Sequence, residues 1–268
     1  MVLSSPPTAE GTPRLAAISQ MALIQEVFSS VQGEGPYVGV RQIFVRGAKC
    51  HLKCAYCDTP METPDGRCYV AWTPGSADLE PLENPLSPET ILAVISRLNA
   101  TAKHHSVSFT GGEPLLYHRW LACVLPGVRS LGLKTYLETS GTQPELLHAV
   151  LPHTDIVAMD IKLPSATGEA PLFTEHAQFY KAVRQRPQTE LFVKVVFNAN
   201  TSLEELRAIE AVLPDRHIPI FLQPETTLDL PYRVRVRPAD IFRVQDTLNH
   251  FFHHVRVIPQ THKLLAVQ

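Results

Sequence analysis

From Ser87 onward, short apolar runs alternate with stretches whose apolar residues recur every three or four positions. Ser87-Pro88-Glu89 reads as a helix start, with a capping hydroxyl, a proline that needs no N–H partner, and an acid in the first turn. Ile91, Leu92, Ile95 and Leu98 then form one apolar stripe. The pattern predicts a strand at Ser106–Thr110, a helix at Leu115–Leu131 kinked or split at Pro126, and a strand at Lys134–Thr139. A short helix at Pro144–Val150, a strand at Asp155–Asp160, a helix at Leu172–Arg184 and a strand at Glu190–Phe197 follow. A helix at Ser202–Val212, a strand at Pro219–Gln223, a helix at Ala239–Phe252 and a strand at Val255–Ile258 close the chain. Upstream, strands are expected at Ile24–Val31 and Gln42–Arg46, separated by a sharp break at Gln32-Gly33-Glu34-Gly35-Pro36. Residues 1–22 are rich in Ser, Pro, Thr and Gly and read as a poorly ordered tail. Pro60–Pro88 lacks helical periodicity and reads as an inserted loop, with room for one hairpin at Arg67–Trp72. Strand alternating with helix implies parallel βαβ units, so an α/β fold whose active residues gather at the C-terminal ends of the strands. Periodicity does not choose between an open doubly wound sheet and a partly closed barrel. Residues 23–268 are expected to form one domain.

Composition narrows the function classes. The 268 residues carry 24 Lys plus Arg against 26 Asp plus Glu, a net charge of −2, and 44% are hydrophobic. That is enough for a sizeable core, and it gives no broad electrostatic reason to bind nucleic acid or an anionic membrane. No apolar run approaches the roughly 18 residues of a membrane span, and the N-terminus lacks a basic start with an apolar core. The expected address is the cytoplasm.

Five cysteines occur, at 50, 54, 57, 68 and 123, and three fall within eight residues. Cys50-His51-Leu52-Lys53-Cys54-Ala55-Tyr56-Cys57 is a CxxxCxxC array. Three thiolates from one tight loop can hold three corners of a cubane 4Fe-4S cluster and leave the fourth iron open to a small molecule. A structural zinc ion needs a fourth protein ligand, and His51, adjacent to Cys50, cannot easily converge on the same ion. Cys68 reads as a loop thiol and Cys123 as a helix core residue.

The CxxxCxxC array with Tyr56 before its last cysteine resembles the radical S-adenosylmethionine (SAM) superfamily. Gly111-Gly112-Glu113-Pro114, one βα unit later, is similar to that superfamily's GGEP motif. Glu113 there would fix a nearby loop or receive the SAM ammonium. A narrower resemblance rests on Glu26-Val27-Phe28, Gln32-Gly33-Glu34-Gly35, Gly39, Phe44-Val45-Arg46, Cys57-Asp58-Thr59, Glu138-Thr139-Ser140-Gly141 and Val257-Ile258-Pro259-Gln260-Thr261-His262-Lys263. Together these resemble the 7-carboxy-7-deazaguanine synthase family of the queuosine pathway, from about Glu26 to the chain end. The chain departs from that family at Lys49 and His51, where Gly and Asn are usual, and in the length of Pro60–Pro88.

The resemblance implies a parallel, partial (βα) barrel of the radical SAM type and a lyase that contracts the ring of 6-carboxy-5,6,7,8-tetrahydropterin with loss of ammonia. Cys50, Cys54 and Cys57 would hold the cluster. SAM would meet Tyr56, Cys57, Asp58, Gly112, Glu113, Glu138, Asp160, Ile161, Lys162 and Gln223, although Glu138 also reads as an acid facing backbone dipoles. Thr59 would bind Mg2+ shared with substrate, or simply form an Asp-Thr-Pro turn. A substrate carboxylate calls for an arginine fork, which Arg46 can supply. Val31, Gln32, Gly33, Glu34, Thr110 and His262 complete the expected substrate site. Apolar Leu264–Val267 is expected to fold back on the barrel and bring the Gln268 carboxylate toward His262, or else to plug the barrel bottom or a dimer contact. The implied partners are an electron donor such as a flavodoxin or ferredoxin and a second copy in a homodimer, with no direct nucleic acid and no membrane. The rival readings are another radical SAM enzyme, such as a glycyl-radical-activating enzyme, and a non-catalytic iron–sulfur or zinc module binding RNA.

Overall fold

The computed structural model describes residues 20–59, 65–76, 78–227 and 233–267. The expected tail therefore lies outside the described residues up to residue 19. Its last residue does not fit a tail: Ala22 is fully buried and bridges to Leu86.

In chain order the elements are β1 (Ile24–Val31), β2 (Arg41–Gly47), β3 (Arg67–Ala71), β4 (Glu80–Glu83), α1 (Pro88–Thr101), β5 (Ser106–Gly111), α2 (His118–Ser130) and β6 (Lys134–Thr139). Then follow α3 (Pro144–Leu147), β7 (Ile156–Ile161), α4 (Pro164–Thr167), α5 (Phe173–Arg184), β8 (Glu190–Phe197), α6 (Leu203–Val212), β9 (Ile220–Pro224), α7 (Pro238–Asn249), β10 (Val255–Val257) and α8 (Thr261–Leu265). The Ser87 hydroxyl accepts from the Thr90 N–H, and Ser202 with Glu205 forms a full capping box on α6. Pro126 does not split its helix. α2 runs through it, held by buried Trp120, Leu121, Val124, Leu125 and Val128.

The strands lie in one sheet of order β10-β9-β8-β7-β6-β5-β2-β1-β3-β4. From β2 to β10 every neighbouring pair is parallel, the curved βα arrangement of a partial barrel. β1 breaks the rule and runs antiparallel to β2. The insertion expected as a loop with room for one hairpin at Arg67–Trp72 has a strand there, and its described residues extend the sheet. β3 pairs parallel with β1, and β4 pairs antiparallel with β3. The reason is the free edge that β1 would otherwise expose, which β3 covers while burying Cys68, Val70 and Ala71. β4, a short outer strand with Pro81 and two glutamates, ends the pairing. The Asn84 side chain ties the insertion to the start of β1 through both the N–H and the carbonyl of Ile24.

Alternation along the strands separates two cores. Val107, Phe109, Leu137, Val157, Met159, Val193, Val195 and Leu222 belong to the large cluster under the helices. Tyr136, Ile156, Ala158, Phe192 and Phe221 form a separate cluster inside the curve of the sheet. The next inward positions toward the strand C-termini are Glu138, Asp160, Lys194 and Gln223. The polar site therefore sits directly on an aromatic plug.

Candidate active site

A cavity of about 610 Å3 opens above this plug. The cysteine loop after β2, the ends of β5 to β9, the Gln32–Glu34 loop and the chain end all line it. Because β1 is antiparallel, its C-terminal Val31 pairs with Arg41 at the start of β2. The loop after β1 therefore enters from the end of the sheet opposite the cysteines and forms the floor. Gly35 adopts a φ of +64°, and a Cβ there would sit 2.6 Å from the Phe192 ring, so only glycine passes. Tyr37 then packs edge-on to Tyr136 and donates to Glu190 at 2.7 Å.

The floor is charged. Glu34 pairs with Lys194, which points inward from β8 and is 8% exposed. Gln260 Nε2 donates to the Glu34 carboxylate at 2.9 Å. Burial pushes the Glu34 carboxyl up, but the Lys194 ammonium and His262 outweigh it and hold the group down at about 2. Burial opposes the Lys194 charge, and Glu34, Asp160 and Glu138 together raise its pKa nonetheless.

Gln32 is spent on structure. Its Nε2 donates to Gln42 at 3.0 Å and to Glu138 at 2.9 Å, and its Oε1 accepts from the Glu34 N–H at 3.0 Å. Glu138 also accepts from Ser108 at 2.9 Å and from Thr110 at 3.0 Å. The expected amide reader is thus a brace for its neighbours, leaving the adjoining backbone and Glu34 to meet a ligand.

At the mouth, Cys50, Cys54 and Cys57 face the cavity together. Burial pushes the free thiol of Cys50 up and that of Cys54 to about 11. The residues fit an open cluster. The three thiols come from one loop and line the same cavity, and among the described residues no group of three His, Cys, Asp or Glu could hold a single metal ion. His51 is turned away onto Thr142 at 2.8 Å. The residues also fit SAM. Lys162 Nζ bridges Asp160 and the Tyr56 hydroxyl, each at 2.8 Å, while the other Asp160 oxygen is buried without a partner in a cavity-lining side chain. That oxygen is an acceptor waiting for a donor such as an ammonium or hydroxyl. Gly112 lets the loop after β5 lie directly against the cysteine loop, since a Cβ there would lie 1.9 Å from the Lys49 carbonyl oxygen.

Arg46, at the end of β2, lies 5.6 Å over the Phe28 ring. Its Nε donates to Glu26 at 2.6 Å and its Nη1 to Thr59 at 3.4 Å. The arginine and the expected magnesium ligand are therefore neighbours. Asp58 pairs with Lys263 at 2.7 Å. His262 packs so closely on Gly33 that a Cβ there would lie 2.1 Å from its Nδ1.

Two expected contacts are displaced. Glu113 is 1% exposed and does not line the cavity; its carboxylate accepts from Leu115 N, Thr139 Oγ1, Ser140 N and Ser140 Oγ. It fixes the loop after β6, and no oxygen is left for an ammonium. The Ile161 side chain points into the large core. Gln268 lies outside the described residues. Leu264 and Leu265 do not pack back on the barrel but are 69% and 61% exposed, while Ala266 and Val267 reach the cavity. The reason is the short turn of α8, which points the lysine inward and the leucines out. The two spare cysteines exchange their expected places: Cys68 is buried in β3 and Cys123 is exposed on α2.

Sequence reasoning missed Lys194 and His176. A lone lysine inside Glu190–Phe197, in phase with inward Phe192, was the available signal. His176 lies on α5 in no motif. Its Nε2 accepts from the Lys162 N–H at 3.0 Å, so Nδ1 carries the proton and donates to the Gly141 carbonyl at 3.1 Å. It joins the loops after β6 and β7.

Three sulfurs, a glycine cradle and a polar mouth at the C-terminal ends of a curved parallel sheet define a radical SAM protein, and the superfamily's model matches residues 44–209. Within that superfamily the chain belongs to the 7-carboxy-7-deazaguanine synthase family. It is 40% identical to the 7-carboxy-7-deazaguanine synthase of Geobacter sulfurreducens over 249 residues, 91% of this chain and 97% of the relative. The enzyme of the same name from Methanocaldococcus jannaschii is 31% identical over 91% of this chain and 100% of its own. The crystal structure of QueE from Escherichia coli shares the fold, with a TM-score of 0.59 at 24% identity over 94% of this chain and 99% of that one.

Proposed function

We propose that this chain converts 6-carboxy-5,6,7,8-tetrahydropterin to 7-carboxy-7-deazaguanine with loss of ammonia. The observation that carries the reading is one cavity joining the three-cysteine loop to the Gln32–Glu34 floor and the His262 segment. Cys50, Cys54 and Cys57 would hold a 4Fe-4S cluster, and Tyr56, Asp58, Gly112, Asp160, Lys162 and Gln223 surround the place for SAM. When bound, the reduced cluster and SAM supply a carbon radical that removes a hydrogen atom from the substrate. The chain's own residues bind, orient and exclude water. Arg46 meets the pterin carboxylate beside Thr59, where a magnesium ion would be shared with substrate. Glu34, held ionised by Lys194, accepts from pterin N–H groups, and Glu138 stands next to it. Electrons arrive from a small protein carrier such as a flavodoxin or ferredoxin.

The test is anaerobic reconstitution with iron, sulfide, SAM, reductant, magnesium and the carboxylated tetrahydropterin. The expected product is the carboxylated deazaguanine, with about four irons per chain. In Cys54→Ala both the cluster absorbance and the product should vanish, because two thiolates do not retain a cubane. SAM cleavage without a deazapurine would point instead to a different radical SAM substrate.

A further inference from the structure

The last helix is held without an apolar anchor. None of the residues of α8 is buried as a whole, and Leu264 and Leu265 face solvent. A helix of five residues has no stability of its own. What holds it is polar. Thr261 N and Oγ1 both donate to the Gly33 carbonyl, at 3.0 and 3.1 Å. Gln260 donates to Glu34 and accepts from Thr226 Oγ1 at 2.8 Å. The charged tie is Lys263, whose side chain is only 7% exposed, beside the exposed Leu264 and Leu265. Its Nζ lies 2.7 Å from Asp58 and 3.3 Å from Thr226 Oγ1. Asp58 stands between Cys57 and Thr59. Beyond Lys263, Ala266 turns into the left-handed region at φ 51°, and the Val267 N–H closes on the His262 carbonyl at 3.1 Å. That turn places Ala266 and Val267 on the cavity wall.

We propose that Lys263 is a positioning residue that locks the 258–267 segment over the cavity, and that by pairing with Asp58 it makes this closure depend on the shape of the cysteine loop. Two irregular segments, the floor loop and the chain end, fill the gap that the partial barrel leaves open. Each is held by a few backbone bonds: Gln32 N–H to the Val40 carbonyl and Gly39 N–H to the Gln32 carbonyl, Ile258 N–H to the Leu222 carbonyl, and Thr261 N–H to the Gly33 carbonyl. The Lys263–Asp58 pair connects this gap to the loop that would carry the cluster. A cysteine loop held in this shape by a cluster would therefore hold in place the packing of His262 on Gly33 that the structure shows. The functional part rests on the pterin reading above; the structural part does not.

The experiment compares wild type, Lys263→Met, Lys263→Arg and Asp58→Asn by amide hydrogen exchange, with and without the reconstituted cluster. In wild type, reconstitution should slow exchange of 258–267 along with the cysteine loop. In Lys263→Met and Asp58→Asn that segment should exchange at least about tenfold faster, with the cluster absorbance of Lys263→Met unchanged. Arginine should restore most of the protection. In turnover, Lys263→Met should raise the pterin KM roughly fivefold to tenfold, the range for losing a half-exposed charged hydrogen bond, with SAM cleavage in the absence of pterin unaltered. Equal exchange of 258–267 in wild type and Lys263→Met overturns the lock. Protection that ignores the cluster overturns the coupling. If wild type makes no deazapurine yet the exchange results hold, the pterin reading fails and the lock stands.

Discussion

Lys194 on β8 and Glu34 in the loop after β1 form a buried ion pair across the inside of the barrel. Lys194 is in register with Asp160 of β7 and Phe221 of β9. Its ammonium therefore stands at the boundary between the aromatic plug and the polar site. The pair fixes the floor loop from the far wall.

Lys194→Met should destabilise the protein by about 3–5 kcal/mol, because it leaves a buried carboxylate without its cation. Adding Glu34→Gln should recover much of that loss, since both charges are then gone. Urea unfolding of wild type, Lys194→Met, Glu34→Gln and the double variant checks this, and a Lys194→Met protein as stable as wild type shows that the pair does not hold the floor loop. The pH sign follows from Glu34. Its folded value, about 2, lies below the ordinary 4.5, so its stabilisation is full above about pH 4.5 and is lost as pH falls toward 2.

His176 makes the opposite kind of group a stabiliser. Burial lowers its pKa from 6.5 to about 4 and outweighs the hydrogen bond to the Gly141 carbonyl, which favours the charged ring. The neutral ring accepts from the Lys162 N–H and donates to Gly141. The folded state binds fewer protons than the unfolded one, so this stabilisation is complete above pH 6.5 and disappears as pH falls through about 4. Wild type should lose on the order of 3 kcal/mol over that interval from this group, whereas His176→Gln should show a flatter profile. Parallel slopes in the two proteins would sink the assignment.

Gly112→Ala and Gly33→Ala should differ in kind. The new Cβ at 112 meets the Lys49 backbone at 1.9 Å, which nothing but a shift of the cysteine loop relieves. At 33 it meets the His262 side chain at 2.1 Å, which can swing away. Gly112→Ala should reconstitute with a reduced iron content. Gly33→Ala should keep its iron and show a raised pterin KM. Full iron incorporation in Gly112→Ala would contradict the cradle.

Arg46→Lys should raise the pterin KM by about tenfold or more while leaving SAM affinity alone. A lysine keeps the charge but cannot hold Glu26 and Thr59 and present a planar fork, and a charged hydrogen bond is worth roughly 1.5–3 kcal/mol. Steady-state kinetics with each substrate varied separately decide it; an unchanged pterin KM takes Arg46 out of the site.

The site was legible where its chemistry is local. The cysteine loop, Gly112 and the Glu34 loop announce themselves within a few residues, and each lines the cavity. Gln32 was visible as a site residue but not in its role. For Glu113 the two expected roles, fixing a nearby loop or receiving an ammonium, could not be told apart until the Thr139 and Ser140 contacts selected the first. The reason is that a carboxylate or amide that braces its neighbours looks in sequence like one that meets a ligand. Cys68 and Cys123 exchanged places because burial depends on which strand pairs with which, and no spacing records that.

The sequence by itself determined the helices through their caps and apolar stripes, the strands through their apolar runs, and the CxxxCxxC array through three adjacent thiols. All of these are short-range and follow from local backbone and side-chain chemistry. Only the tertiary structure decided the rest. It ran β1 antiparallel and so brought the floor loop in from below. It turned Arg67–Ala71 into a strand that covers β1 and Glu80–Glu83 into one that covers that strand. It set Glu34 against Lys194 and Asp58 against Lys263, pairs more than 150 positions apart in the chain. Such contacts depend on how a curved sheet closes its open side, and that is settled by packing of the whole chain.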